Sequence, residues 1–157
     1  MNMILKTSLF TAAFMAVGCA GTVVAPQSEA ALPDAVSSSA GVITVKVDGL
    51  KVQGGQVSAA LFDEAGYKGG APLRGKNAEV SSGSVNLKFE DMPAGEYGLK
   101  MYHDVDMDGQ MNTNAFGLPT EPYAFSNNAV GMMGPAKWDA AKFTVSADGA
   151  VQDISFK

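Results

Sequence analysis

The chain has 157 residues, which is room for one domain. Its 11 Lys and Arg stand against 16 Asp and Glu, a net charge of −5, and an acidic chain without clustered cations is unsuited to nucleic-acid binding. One Cys and one His exclude an internal disulfide, a cysteine-based zinc site and a multi-histidine metal centre, while 46% apolar residues exclude disorder over most of the length.

Residues 1–19 read as an export signal. Lys6 is the only charge before an apolar run from Leu9 to Gly18. That run matches a signal-peptide core and falls short of the ~20 apolar residues a membrane span needs. The sole cysteine, Cys19, closes it. Ala16-Val17-Gly18-Cys19 resembles a bacterial lipobox, in which the cysteine becomes lipidated and N-terminal, with Ala16 standing where Leu is usual. Two outcomes stay open: a lipoprotein anchored through Cys19, or plain cleavage nearby followed by secretion. With lipidation, Ala20 beside the cysteine favours the outer membrane. The expected location is the periplasm or outer membrane, otherwise outside the cell. Residues 20–40 carry Pro26, Pro33 and Ser37-Ser38-Ser39 without periodicity, the composition of a flexible linker. A single folded domain is expected over residues 41–157.

From Gly41 the apolar period becomes two. In residues 42–48, Ile43, Val45 and Val47 share one face, and Thr44 and Lys46 take the other, which predicts a half-buried strand. Residues 56–62 place Val57, Ala59 and Leu61 together, and Gly54-Gly55 before them reads as a hairpin-type connection. A weaker strand is expected at residues 77–81. Residues 84–90 turn Val85, Leu87 and Phe89 inward, and Pro93-Ala94-Gly95 signals a tight turn into a strand at residues 97–103 with Tyr97, Leu99 and Met101 aligned. Residues 142–147 and 150–156 flank Asp148-Gly149, a hairpin signal. Only residues 137–142 suggest a helical turn. About seven short strands in about 115 residues predict an all-β fold, an antiparallel β-sandwich with one long irregular loop. The Pro93-Ala94-Gly95-Glu96-Tyr97 turn feeding an alternating strand resembles the hairpins of transthyretin-like modules, a resemblance that implies a sandwich of Ig-like or transthyretin-like (prealbumin-like) kind.

The most chemical stretch follows the strand ending at His103. Asp104, Asp106 and Asp108 alternate, and Gly109 comes next, the first half of a D-x-D-x-D-G calcium loop. Three carboxylates spaced by two can converge on one cation if the chain curls, and Gly109 permits the curl. Gln110 would offer its backbone carbonyl and Asn112 a side-chain oxygen or a bridging water. Oxygen donors of this kind suit Ca²⁺ rather than zinc or copper. The twelfth position is Ala115, where an EF-hand has a bidentate Glu, so a further ligand must come from elsewhere: Glu121 is the nearest carboxylate and Asn114 an amide option. Without that Glu the expected affinity is weak, ~10⁻⁴–10⁻³ M. The competing reading is a solvated turn with no ion, since Asp, Asn and Gly are also turn formers.

Residues 112–140 show no periodicity. Phe116, Tyr123, Phe125 and Trp138 are expected to anchor this segment as a satellite core, and Ser126, Asn127 and Asn128 to satisfy its backbone, either as a packed loop or as a ligand-binding surface. His103 and Asp104, adjacent on a strand, point to opposite faces, so no His–Asp relay is expected and no catalytic residue is assigned.

His103-Asp104 with the acidic loop, the run from Asn112 to Tyr123, Phe125-Ser126-Asn127-Asn128, Gly134-Pro135, Trp138 and Ala141-Lys142-Phe143 together resemble the bacterial DUF2141 family. Leu61-Phe62-Asp63 and the Pro93-Ala94-Gly95-Glu96-Tyr97 turn fit it too. The resemblance implies an exported β-sandwich and supplies no activity. The expected function is a non-enzymatic cell-envelope module, Ca²⁺-stabilised, that binds an envelope protein or glycan or contributes structurally, touching membrane only through a lipid anchor. The alternative is a metal-dependent envelope hydrolase.

Overall fold

A computed structural model describes residues 40–157. The expected export signal with Cys19 and the expected linker up to residue 39 lie outside the described residues. The first strand, β1 (Gly41–Asp48), buries Ile43, Val45 and Val47 and exposes Val42 and Lys46, as its alternation predicts. Next come β2 (Gln56–Phe62), a one-turn helix α1 (Glu64–Tyr67), β3 (Arg74–Glu79), β4 (Val85–Met92) and β5 (Gly95–Asp104). A three-residue strand β6 (Tyr123–Phe125) runs into a 3₁₀ turn at Ser126–Asn128, followed by α2 (Trp138–Ala141), β7 (Phe143–Val145) and β8 (Ala150–Ser155). The helical turn expected near residue 137 is α2. Helix α1 was not foreseen; Asp63 caps it by accepting the Gly66 N–H at 2.7 Å.

The described residues are mostly β, in two sheets. One has the order β4-β1-β8, the other β3-β2-β5-β6, with β7 pairing the first residues of β5. Both sheets contribute to one buried cluster: Ile43, Val45, Leu87, Phe89 and Ile154 from the first, Val57, Leu61, Leu99, Met101 and Val145 from the second. Each such side chain stabilises the fold by ~1.5–3 kcal/mol through removal from water.

Two expected hairpins do not form. Gly54-Gly55 lies between β1 and β2, and Asp148-Gly149 between β7 and β8, but both strand pairs are split between the sheets. Each connection carries the chain from one sheet to the other. The reason is physical: a tight turn fixes a local reversal, whereas burial decides which strand becomes the neighbour. At residues 148–149 only a Ser146–Gly149 bridge remains. Gly149 sits at φ 91° with its missing Cβ aimed at the Val42 carbonyl, so only glycine fits there. The pairing is also not wholly antiparallel, because β8 lies parallel to β1. The weak strand expected at residues 77–81 is β3, starting three residues earlier.

The turn from β4 to β5 also crosses between sheets, and Tyr97 locks it. Its ring is buried and its hydroxyl donates to the Pro93 carbonyl at 2.9 Å. Tyr97→Phe keeps the ring and removes the bond. The expected loss is about 1 kcal/mol in urea unfolding, with an unchanged slope.

Candidate functional site

The second sheet delivers the acidic loop. Strand β5 pairs with β2 so that Asp104 lies opposite Gln56 and His103 opposite Val57. Both β5 residues are fully buried, on opposite faces of the strand. His103 faces the core, where its Nε2 donates to the Gly54 carbonyl at 2.8 Å while Nδ1 has no partner among the described residues.

Asp104 organises the loop. Its Oδ2 accepts from Gln56 Nε2 at 2.9 Å and from the Gly109 N–H at 3.0 Å, and its Oδ1 accepts from the Asp108 N–H at 3.2 Å. The Gln56 amide beside it, helped by loop N–H groups and opposed by burial, holds its carboxyl below the usual carboxylate range. Gly109 takes φ 78°, the left-handed turn that the D-x-D-x-D-G spacing requires. Asp106 accepts from Asn112 Nδ2 at 2.8 Å, and Asp108 from the Gln110 N–H at 2.7 Å.

The chain curls at this spacing. One carboxylate oxygen each of Asp104, Asp106 and Asp108 lie within 4.8 Å of one another, with Asp104 buried and the other two exposed. Like charges at that distance repel by about 1 kcal/mol per pair even in bulk water, a repulsion that a hard cation among them would relieve. Glu121 is outside this group. It is buried and clasps both ends of the loop, Oε1 accepting from the Val105 N–H at 2.9 Å and Oε2 from the Asn112 N–H at 3.1 Å. The amide oxygen of Asn114 is taken by the Phe116 and Leu118 N–H groups.

Sequence reading missed Gln56, which lies 48 positions before its carboxylate partner. A polar residue opening a mostly apolar strand was its only trace. Of the four aromatic anchors expected in the long segment, Phe125 and Trp138 are buried, in a second cluster with Phe62 and Tyr67. Phe116 and Tyr123 are exposed instead. Residues 112–120 close on themselves through Thr120 N–H to Asn112 O and Asn114 N–H to Leu118 O, which lifts Phe116 off the sheet.

The model of a family described as "Uncharacterized protein conserved in bacteria (DUF2141)" matches residues 45–153. No curated protein and no solved structure matches the chain.

Proposed function

The chain belongs to the DUF2141 family, and we propose that it is an exported, non-enzymatic module of the bacterial cell envelope, with a Ca²⁺ ion seated in its acidic loop. The observation that carries the ion is the convergence of the Asp104, Asp106 and Asp108 carboxylates within 4.8 Å, on a loop already curled at Gly109. Supporting the module over an enzyme, the one histidine is held by the Gly54 carbonyl, on the opposite face of β5 from Asp104. The fold within this reading is a β-sandwich of Ig-like or transthyretin-like kind. A cluster shared by two sheets and the Tyr97–Pro93 bond, which resembles the tyrosine corner of such sandwiches, support it.

Calorimetric titration tests the ion. Ca²⁺ gives a saturable one-site isotherm with Kd ~10⁻⁴–10⁻³ M, and Mg²⁺ binds more weakly because it dehydrates reluctantly. A flat Ca²⁺ isotherm overturns the proposal. Export is supported by the apolar run that ends at Cys19. In a bacterial host the mature protein partitions into the detergent phase, and Cys19→Ala moves it to the aqueous phase. Aqueous partitioning of both forms would leave plain secretion.

A further inference from the structure

The outer face of the second sheet carries an open groove of about 890 Å³ beside the acidic loop, within the size range of small-molecule sites. Its floor is made deep by small residues facing outward: Ser58 and Ala60 on β2 and Gly75 on β3. One wall is the segment that follows the acidic loop, with Phe116 88% exposed and Leu118 60% exposed. The other wall carries Met133 and Pro135. That second wall is built by a tight turn. A Cβ on Gly131 would strike the Gly134 carbonyl, and Met133 is held at φ 59° with its side chain exposed. Large apolar side chains ring a cleft with small residues beneath them, an arrangement that leaves apolar surface uncovered.

Lys100, partly buried, lines the floor of this groove and also the adjoining cleft beside Tyr67 and Trp138. Its ammonium lies 4.8 Å from the Phe62 ring centre and 4.4 Å from that of Tyr67, and it donates to the Tyr67 carbonyl at 2.8 Å. It is in none of the ion pairs among the described residues. Burial pulls its pKa below the ordinary lysine value. A cation in an apolar trough matches one ligand chemistry.

We propose that this groove binds an amphiphile with an unbranched hydrocarbon body and an anionic head, a long-chain carboxylate, with the chain between Phe116, Leu118 and Met133 and the head at Lys100. This deepens the reading of a non-enzymatic envelope module by naming a ligand class for it, and rests on that part of the reading, not on the ion. The probe is dodecanoate, titrated below its micellar range into the purified protein and followed by calorimetry. One-to-one saturation is expected. Lys100→Met weakens dodecanoate by about tenfold, the worth of a charge-assisted hydrogen bond, and leaves dodecanol unchanged. Phe116→Ser with Leu118→Ser weakens both ligands, and because these side chains are exposed the melting temperature stays near that of the parent. The titration is run in Ca²⁺ and in chelator, and saturation in either supports the groove whatever becomes of the ion. Absence of saturation in both overturns the proposal. So does equal binding of dodecyltrimethylammonium, or a dimer that Phe116→Ser dissociates and dodecanoate does not, which would assign the face to a second copy.

Discussion

Replacing Phe89 with Ala lowers stability by about 3–5 kcal/mol, the range of buried aromatic truncations. Phe89 is fully buried on β4, opposite Ile43 of β1, and faces the second sheet across the shared cluster. Truncation removes the ring's transfer energy and opens a cavity that two sheets pinned by Tyr97 and by cross-sheet turns close only in part. A domain of this size is stable by about 5–15 kcal/mol, so the loss is a large share of the whole. Urea unfolding measures it as a lower midpoint with an unchanged slope. Val151→Ala, on the exposed face of β8, is the control and changes stability by no more than about 0.5 kcal/mol. A loss under 1 kcal/mol at Phe89 would contradict this packing.

Ser126→Ala has the second largest effect, from a single hydroxyl. Ser126 is fully buried directly after β6, where its Oγ accepts the Leu99 N–H of β5 at 2.9 Å and donates to the Ala141 carbonyl of α2 at 2.5 Å. Alanine leaves a buried donor and a buried acceptor unpaired, and each costs about 1–3 kcal/mol. The next two residues continue the seam. Asn127 Nδ2 donates to the Lys142 carbonyl at 2.8 Å, and Asn128 Oδ1 accepts the Ser155 N–H at 2.8 Å. These bonds carry the end of the long segment from the second sheet to β8 of the first. Hydrogen exchange reads the defect locally: the Leu99 amide loses protection in Ser126→Ala, while amides of β1 paired with β4 lose only what the global destabilisation demands. Unchanged Leu99 protection would contradict the seam.

The core strands were legible because one of their faces is dry and the other wet. Ile43, Val45 and Val47 alternate with Val42, Thr44 and Lys46, and the Val85–Leu87–Phe89 series does the same. Strand β5 was harder, since Gly98 and Asp104 are buried on the face away from the core. What alternation and turn residues cannot state is partnership. Asp148-Gly149 marks a tight turn and Gly54-Gly55 a bend, yet each connection leads to the other sheet, because pairing is settled by distant apolar surfaces. Strand β6 is three residues long and follows Pro122, too short for any period to register. In the acidic loop the Asp104-Asp106-Asp108-Gly109 spacing carried its own geometry, since the curl is local. The closure by Gln56 and Glu121 is not local and had no pattern to find. Phe116 shows the limit of hydrophobicity as a guide: a large apolar side chain on a self-closed loop can face solvent as readily as core. The groove it borders was foreshadowed only by small residues, Ser58 and Ala60, at outward positions of β2.

Thermal unfolding with and without Ca²⁺ tests the acidic loop most directly. An ion that binds only the folded state stabilises it by mass action, and at ~10 mM Ca²⁺ a Kd of ~10⁻⁴–10⁻³ M corresponds to about 1.4–2.7 kcal/mol. The melting temperature therefore rises by several degrees in Ca²⁺ and returns in chelator, and Asp106→Ala with Asp108→Ala abolishes the rise, since both side chains are exposed and serve the loop alone. A parent protein that melts at the same temperature in Ca²⁺ and in chelator would contradict the proposed calcium site.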